Sequence, residues 1–227
     1  MVNPQHQHQH HQEDDDDDEP IMIKLLVIGP PRSGKTSIIN KYCNNINPTN
    51  YKITVGVDCV TKETTISGRK VILMIWDIAG QERYAHMTRL YYSDAKGVFI
   101  VFDSSNIEPT LKVAEQWKED VDECFADNPI PSILLANKGD LFPNSQQEIP
   151  YKRFDKFCEE NTIDKWFLTS AMTGAGLNES VEDMVKTIFE RNPSLLPRDK
   201  ESFKLQPEAN SQNNRPNQAT TERKTCC

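Results

Sequence analysis

Short apolar runs alternate with segments of helical spacing through the middle of the chain. The apolar runs cover residues 21–29, 55–66, 70–78, 97–103, 132–137 and 165–169. Helical spacing is found at residues 34–43, 87–95, 109–125, 151–160 and 177–190. Near-continuous apolar strands that alternate with helices are typical of a parallel sheet with helices on both faces. The pattern therefore predicts an α/β fold with six strands and five helices.

Ser67 and Gly68 separate the second of these strands from the third. A two-residue turn of this kind joins antiparallel strands into a hairpin, so we expect one antiparallel strand at the edge of a mostly parallel sheet. No apolar run approaches the ~20 residues that cross a bilayer, and the first residues lack the basic and apolar regions of a signal peptide. Four of the six cysteines are scattered singly. We therefore expect a cytosolic protein.

Charge is concentrated near the beginning of the chain. The formal net charge is −8, and seven of the 34 acidic residues lie at residues 13–19, after a tract rich in His and Gln. This composition predicts a disordered leader at residues 1–20, and the Pro-rich polar sequence of residues 191–227 predicts a flexible tail. Residues 21–190 then form one folded domain. Outside the leader the acidic residues nearly balance the 26 basic ones, which excludes a basic nucleic-acid-binding protein.

The first predicted strand runs into a glycine-rich loop that opens a helix. The loop, from Gly29 to Thr36 (GPPRSGKT), fits the GxxxxGK[ST] pattern of phosphate-binding loops. Its backbone N–H groups and the helix N-terminus attract phosphate. Gly34 lets the backbone approach closely, Lys35 reaches the β- and γ-phosphates, and the Thr36 hydroxyl is a ligand for Mg²⁺. The sequence therefore predicts a P-loop NTPase.

The third predicted strand ends in the sequence DIAGQ, at residues 77–81. A carboxylate such as Asp77, at the carboxyl end of a parallel strand beside a phosphate loop, is suited to holding Mg²⁺. Gly80 offers a backbone N–H to a γ-phosphate, and Gln81 is placed to orient an attacking water. These residues predict hydrolysis of a nucleoside triphosphate.

Residues after the fifth and sixth strands indicate which base is bound. The fifth strand runs into NKGD at residues 137–140. The Asp140 carboxylate can accept hydrogen bonds from N1–H and the 2-amino group of guanine, whereas adenine would leave it unpaired. The stem of Lys138 can cover the base plane, and a backbone N–H at Ser170 or Ala171 can donate to guanine O6. The sequence therefore predicts GTP and GDP as ligands.

With these motifs in order, the chain resembles a Ras-superfamily small GTPase of the Rab family, over residues 21–190 and at the C-terminus. The Rab-like segments are VGVD at residues 55–58, WDIAGQERY at residues 76–84, Tyr91-Tyr92 and the terminal Cys226-Cys227. Ile78 and the segment 87–89 resemble the branch that serves lysosome-related organelles. The resemblance implies a GTP/GDP switch that recruits effectors to an endomembrane and regulates vesicle or lysosome-related organelle trafficking. It also implies slow GTP hydrolysis in the absence of a GTPase-activating protein.

The resemblance assigns roles to individual residues. Thr54 becomes the switch I threonine, which completes the Mg²⁺ site and senses the γ-phosphate, with switch I at residues 44–56 and switch II at residues 78–90. Catalysis is assigned to Gln81, Lys35 and Gly80, and Mg²⁺ binding to Thr36, Thr54 and Asp77. The expected nucleotide contacts are Gly29, Arg32, Ser33, Gly34, Lys35, Thr36, Ser37, Thr54, Gly80, Asn137, Lys138, Asp140, Ser170 and Ala171.

The resemblance also implies partners and a lipid anchor. Effectors are expected at switches I and II and at Trp76 and Tyr91, which match two of the three effector-facing aromatic residues of Rabs. Cys226 and Cys227 are expected to carry geranylgeranyl groups, because two lipid chains give stable membrane attachment and one does not. The other expected partners are an exchange factor, an activating protein, a prenylation escort and a GDP-dissociation inhibitor. We expect the protein on the cytosolic face of an endosome or lysosome-related organelle, with a soluble cytosolic pool.

Several positions depart from the Rab pattern. Pro30-Pro31-Arg32 replaces small residues, Asn47 replaces a Phe that lies edge-on to guanine, Cys59 replaces the third effector-facing aromatic residue, and Met172 replaces a Lys. Loss of the aromatic contact at Asn47, worth about 1 kcal/mol, predicts faster GDP release. Because Pro31 lies where an activating protein would insert a finger, a GTP-binding module that scarcely hydrolyses remains an alternative. A P-loop kinase that uses ATP is disfavoured by Asp140.

Overall fold

A computed structural model describes residues 19–48, 54–81, 88–144 and 148–196. Six strands lie in this part of the chain: β1 Ile21–Ile28, β2 Val57–Ile66, β3 Arg69–Ile78, β4 Gly97–Asp103, β5 Ser132–Asn137 and β6 Lys165–Leu168. The α-helices of the same part are α1 Lys35–Asn44, α2 Ile107–Cys124, α3 Tyr151–Glu160 and α4 Leu177–Arg191. Short 3₁₀ helices cover Thr88–Tyr92, Gly139–Asn144 and Pro193–Leu195.

The strands form one sheet in the order β2-β3-β1-β4-β5-β6. Strand β2 pairs antiparallel with β3 at the edge of the sheet, and all the other neighbouring strands are parallel. Ser67 and Gly68 join β2 to β3, both with positive φ, of 52° and 76°. The predicted α/β fold, with a mostly parallel sheet and one antiparallel edge strand, is therefore confirmed.

The expected number of helices was wrong by one, because the described residues contain four α-helices. The fifth had been predicted at residues 87–95, where Thr88–Tyr92 form a 3₁₀ helix and residues 82–87 lie outside the described part. At the end of this segment Tyr92 is buried and stacks on Phe125, with ring centroids 6.4 Å apart. Asp94 then turns the chain with a φ of 61°.

Two apolar clusters lie on opposite faces of the sheet. Helices α1 and α4 pack on one face, where their residues contact alternate side chains of β1, β3, β4 and β5. Helices α2 and α3 cover the other face, with Trp117 and Phe154 fully buried there. All seven residues of β4 and all six of β5 are buried, since central parallel strands must be apolar on both sides.

The parallel arrangement brings the carboxyl ends of β1, β3, β4, β5 and β6 to one edge of the sheet. The loops that follow these strands contain most of the predicted nucleotide-binding residues, as expected for the ligand edge of an open α/β sheet. None of the helices in the described ranges is both long and apolar enough to cross a membrane. The described residues all belong to the compact unit that ends at Leu196.

Candidate functional site

Two glycines shape the loop between β1 and α1. Gly29 has a φ of 138°, and a Cβ atom there would lie 2.1 Å from the carbonyl oxygen of Val101. Gly34 has a φ of 95°, and a Cβ atom there would lie 2.3 Å from Nδ2 of Asn137. Gly34 is also the N-cap of α1 and provides no side-chain hydrogen bond. The first N–H groups of the helix are therefore not capped by a side chain, which suits an anion.

Lys35 is the first residue of α1, and its side chain folds back over the loop. Its Nζ donates to the carbonyl oxygens of Gly29 at 3.0 Å and Pro30 at 2.9 Å. The residue is 6% exposed. Burial lowers the pKa of Lys35 to about 8, and the charge of Asp77 partly opposes this shift. A buried ammonium group whose hydrogen-bond partners among the described residues are neutral carbonyls is suited to an anionic ligand such as phosphate.

Three side-chain oxygens meet beside this ammonium group. Thr36 Oγ1 lies 2.5 Å from Asp77 Oδ2 and 2.7 Å from Thr54 Oγ1. Asp77 is 2% exposed, and burial raises its pKa, while the hydrogen bond from Thr36 and the charge of Lys35 lower it. Its Oδ1 is buried and makes no hydrogen bond within the described residues. A buried carboxylate with a spare oxygen and two hydroxyls fits the hard oxygen ligands that Mg²⁺ prefers.

The segment after β3 packs directly on the phosphate loop. A Cβ atom at Gly80 would lie 2.4 Å from the backbone nitrogen of Pro31 and 2.7 Å from the carbonyl carbon of Pro30. Only glycine allows this approach. Ala79 N–H donates to Gly56 O at 3.0 Å, which connects this segment to the one after Thr54. Gln81 is exposed, as a residue that orients a water must be.

Parts of both expected switches lie outside the described residues. Residues 49–53 of switch I and residues 82–87 of switch II are not described. The segment 87–89, on which the resemblance to one Rab branch partly depends, therefore lies at the border of the described part. Cys226 and Cys227 also lie outside it.

Asn137 connects three of the predicted segments. It is 1% exposed, and its Nδ2 donates to the Ser33 carbonyl oxygen at 2.8 Å. Its Oδ1 accepts a hydrogen bond from Ala171 N–H at 3.2 Å. One buried side chain thereby fixes the phosphate loop relative to the segment after β6. Ser33 is itself buried, and its Oγ makes no hydrogen bond to any described residue.

The other residues that are predicted to recognise the base are also held in place. Asp140 Oδ1 accepts a hydrogen bond from Ser170 Oγ at 2.6 Å. The Ser170 hydroxyl in turn accepts from the N–H groups of Met172 and Thr173, each at 3.1 Å. Lys138 has a φ of 69°. Its Nζ forms an ion pair of 2.6 Å with Asp103 Oδ2, a residue that no sequence motif had singled out.

The other predicted contacts lie around the rim of the site. Arg32 is exposed in the phosphate loop with a φ of 63°, and Ser37 is half-buried in the first turn of α1. Asn47 is exposed, and its Oδ1 accepts a hydrogen bond from Lys41 Nζ at 2.7 Å. The same Nζ donates to Asn45 Oδ1 at 2.9 Å. The position that carries Phe in Rabs is thus tied to the end of α1 here.

The expected effector-facing residues lie next to one another on the hairpin side of the sheet. The rings of Trp76 and Tyr91 have centroids 6.2 Å apart. Cys59 pairs with Trp76 across β2 and β3 and is exposed. Lys24 Nζ lies 4.0 Å from the centroid of the Trp76 ring. A small thiol and an ammonium group therefore surround the tryptophan.

Comparisons with known proteins agree with this geometry. The model of the Ras family matches residues 24–190. The chain is 44% identical to the Ras-related protein Rab-32C of Dictyostelium discoideum, over 92% of this chain and 89% of that protein. It is 39% identical to human Ras-related protein Rab-32, over 77% and 78%, and 37% identical to human Ras-related protein Rab-7L1, over 74% and 83%.

These matches confirm the predicted resemblance to Rab proteins and its consequences for ligand and activity. Members of the family bind guanine nucleotide and hydrolyse GTP. The matched region contains the phosphate loop, the oxygen cluster of Thr36, Thr54 and Asp77, and the base-reading segments. The chain therefore belongs to the Ras family, as a Rab-like small GTPase that hydrolyses GTP and regulates membrane trafficking.

Proposed function

We propose that GTP and GDP bind along the edge of the sheet, between the phosphate loop and the segments after β5 and β6. The observation that carries this proposal is the position of Asn137, whose amide is bonded to both the Ser33 carbonyl and the Ala171 N–H. Because Asn137 joins the loop that recognises phosphate to the segments that recognise guanine, one ligand can reach both. Asp140 accepts from N1–H and the 2-amino group of guanine, and the Ala171 region donates to O6.

The phosphates are bound by the loop backbone, the N-terminus of α1 and Lys35. The Lys35 ammonium group exchanges its two carbonyl partners for phosphate oxygens, which are stronger acceptors because they are charged. Arg32, exposed on the same loop, adds positive charge at the rim. Ser33 and Ser37 complete the set with polar groups on either side of Lys35.

Mg²⁺ would be held by Thr36, Thr54 and Asp77, because their oxygens already lie together and Asp77 Oδ1 has no partner among the described residues. When bound, the ion neutralises charge that develops on the β- and γ-phosphates. Thr36 and Asp77 belong to α1 and β3, whereas Thr54 precedes the edge strand. Thr54, which belongs to no strand or helix, is therefore the residue that is free to leave when the γ-phosphate is gone.

Hydrolysis requires a water that is aligned with the γ-phosphate. The exposed Gln81 orients this water, and Gly80 N–H stabilises the charge on the phosphate. A GTPase-activating protein supplies the additional cation that fast hydrolysis needs. A second candidate function, GTP binding with almost no hydrolysis, rests on Pro31, which replaces a small residue where an activating protein would insert a finger; its backbone nitrogen is the atom that a Cβ at Gly80 would meet at 2.4 Å.

Single-turnover hydrolysis separates these two functions. The chain is loaded with GTP, Mg²⁺ is added, and phosphate release is followed with and without a Rab GTPase-activating protein. The proposed GTPase hydrolyses slowly alone, accelerates with the activating protein, and loses this acceleration in Gln81→Leu. A rate that the activating protein leaves unchanged in the unaltered chain, but raises in a Pro31→Gly variant, would favour the binding module instead.

At the membrane, the protein acts through its C-terminal cysteines and its Trp76–Tyr91 surface. Cys226 and Cys227 carry two prenyl chains, which a prenylation escort and a GDP-dissociation inhibitor handle, and an exchange factor loads GTP there. The Rab-32 and Rab-7L1 relatives support membership of the branch that serves lysosome-related organelles, with an endosomal alternative. Effectors contact both switches and the Trp76–Tyr91 surface, where Cys59 changes the shape.

Localisation of a fluorescent fusion tests the anchor. The unaltered chain is expected on an endomembrane and partly in the cytosol, and the double Cys226→Ser, Cys227→Ser variant only in the cytosol. Fluorescence of the variant on the same membrane would contradict lipid anchoring. Co-staining for endosomes and lysosome-related organelles identifies which membrane the unaltered chain occupies.

A further inference from the structure

The proposed nucleotide-binding edge of the sheet also contains a carboxylate, Asp103, that is not among the proposed ligand contacts. Asp103 is the last residue of β4, and it pairs with Asn137, the last residue of β5. Its Oδ2 accepts a hydrogen bond of 2.6 Å from Nζ of Lys138. Lys138 is the residue whose stem is proposed to cover the guanine plane. Asp103 therefore contacts the base-reading segment from the side of β4.

The Asp103 carboxylate has a fixed orientation. Its Oδ1 accepts hydrogen bonds from both the N–H and the hydroxyl of Ser105, at 3.0 and 2.6 Å. Its own backbone N–H donates to Oγ1 of Thr110, in the first turns of α2, at 3.2 Å. The Asp103 side chain is 13% exposed and that of Lys138 is 35% exposed. With Oδ1 occupied, Oδ2 faces one direction, and the ammonium group of Lys138 is held there.

The residue after Asp103 supports the same segment. Ser104 donates to the Asn137 carbonyl oxygen twice, from its N–H at 2.9 Å and from its hydroxyl at 2.6 Å. The end of β4 thus binds two consecutive residues of the NKGD segment: Asn137 through its backbone carbonyl and Lys138 through its side chain. The interaction with Lys138 belongs to a larger connection between the ends of β4 and β5.

Lys138 is constrained at both ends of its side chain. Its backbone has a φ of 69°, in the left-handed region that residues with a side chain rarely adopt. Its neighbour Asn137 is bound to Ser33 and Ala171. With the backbone fixed by its neighbours and Nζ fixed by Asp103, the methylene stem between them has little freedom. A stem that is already ordered loses less conformational entropy when a base stacks on it.

We infer that Asp103 is a positioning residue for the nucleotide: by holding Nζ of Lys138 it orders the lysine stem against the guanine, and so slows nucleotide release. The inference rests on the proposed placement of guanine beside Lys138. Asp103 acts through Lys138 and not by touching the base. Its removal therefore affects retention of any purine nucleotide, whereas Asp140 determines which purine is preferred.

Another ion pair of the chain provides a matched control. Lys118 and Asp122, one turn apart on α2, also lie 2.6 Å from each other. This pair belongs to a helix away from the ligand edge, so Asp122→Ala removes a similar contact without touching the base-reading segment. Asp103→Asn is the second test variant, because an amide keeps the size and an acceptor for Ser105 but lacks the charge that attracts Lys138.

The test measures release of N-methylanthraniloyl-GDP from the full chain into excess GDP at constant Mg²⁺. We expect Asp103→Ala to speed release about fivefold, the equivalent of ~1 kcal/mol at 25 °C, and Asp103→Asn to act in the same direction. In a Lys138→Ala background, Asp103→Ala should add nothing, because the group it positions is already absent. The Asp122→Ala variant should release the nucleotide at the same rate as the unaltered chain. The preference for GDP over inosine diphosphate should not change in Asp103→Ala.

Two results would overturn the inference. One is an unchanged release rate in both Asp103 variants. The other is an equal acceleration by Asp103→Ala with and without Lys138, which would indicate a general loss of structure. Thermal unfolding of each variant identifies such a loss. If Asp103→Ala is unstable, the release rate of Asp103→Asn tests the role of Asp103 instead. Failure of the unaltered chain to retain GDP would overturn the proposed guanine site as well, whereas normal retention with unchanged Asp103 variants would overturn only the role of Asp103.

Discussion

Asn47 is the position at which this chain departs most clearly from Rabs in its expected contact with the base. We predict that Asn47→Phe slows GDP release. In the structure the Asn47 side chain is exposed and accepts a hydrogen bond of 2.7 Å from Lys41. An exposed amide tied to the end of α1 covers no apolar surface of a base. A phenyl ring at this position would present its edge to the guanine, as the Phe of Rabs does.

The size of this effect follows from the contacts that are lost and gained. An edge contact between aromatic groups contributes about 1 kcal/mol beyond burial, which corresponds to roughly a fivefold slower release. The hydrogen bond to Lys41 is exposed and is present with and without nucleotide, so its loss has little influence on release. Lys41 also keeps Asn45 Oδ1 as a partner at 2.9 Å. Almost all of the free energy gained from the aromatic contact should therefore appear as a lower rate of GDP release.

The assay is release of a fluorescent GDP analogue into excess GDP, with Mg²⁺ present and again with the ion chelated. Asn44→Phe serves as the control, because Asn44 is also exposed at the end of α1 and its side chain makes no hydrogen bond to any described residue. We expect slower release only from Asn47→Phe, under both conditions. Equal rates for the unaltered chain and Asn47→Phe would refute the argument that an aromatic contact is missing here. Equally slower release from Asn47→Phe and Asn44→Phe would refute the placement of the missing aromatic contact at position 47.

Three further outcomes are expected. Asp140→Asn should weaken GDP binding roughly a hundredfold, because a charged acceptor is lost, and should favour xanthosine diphosphate in competition; unchanged GTP affinity would contradict base recognition by Asp140. Gly80→Ala should slow single-turnover GTP hydrolysis about tenfold or more, because the new Cβ would lie 2.4 Å from Pro31 N and the segment would have to move. Hydrolysis at the rate of the unaltered chain would show that the phosphate loop can shift without loss of activity. Burial raises the pKa of Cys158 to about 12. Partial burial and Asp58 also raise the pKa of Cys59, but this thiol is exposed. At pH 8 iodoacetamide should therefore modify Cys59 about tenfold or more faster than Cys158, as followed by peptide mass spectrometry, and similar rates would contradict the burial of Cys158.

The central strands were predictable because burial on both faces leaves little choice of residue. The predicted ranges 97–103 and 132–137 are those of β4 and β5. At the sheet edge the apolar signal was less sharp: β2 begins at Val57, two residues later than predicted. Val55 is 86% exposed, so its apolar character does not come from a place in the sheet. Where both faces of a strand are covered, the hydrophobic pattern therefore identifies both of its ends.

The phosphate and base motifs were predictable because each places several groups at fixed spacing in one loop. The contacts between loops were not. Asp103 meets Lys138 because β4 and β5 pair in a register that sets Asp103 opposite Asn137. Lys41 meets Asn47 because the chain turns back at Asn45, which has a φ of 53°. Such pairs depend on register and turn geometry that no local pattern contains. For the pair of Asp103 and Lys138 the sequence does contain a signal: an acidic residue ends one predicted parallel strand, and a lysine follows the end of the next one.

The site divides into a half that is held firmly and a half that is held by few contacts, and this division suits a switch. On the base side, the buried Asn137 amide bonds to two separate segments, and Ser104 donates twice to its carbonyl oxygen. On the phosphate side, the exposed hydroxyl of Thr54 forms a hydrogen bond of 2.7 Å with that of Thr36, and a hydrogen bond to Asp77 lowers the pKa of that carboxyl. Hydrogen bonds of this kind contribute about 1 kcal/mol each, and up to about 3 kcal/mol to a charged group, so a γ-phosphate and a bound metal ion would be needed to hold Thr54 firmly. If the proposed site is correct, loss of the γ-phosphate would free Thr54 while Thr36, Asp77 and the segments proposed to bind guanine keep their places, and we would expect the nucleotide to stay bound as the switch changes.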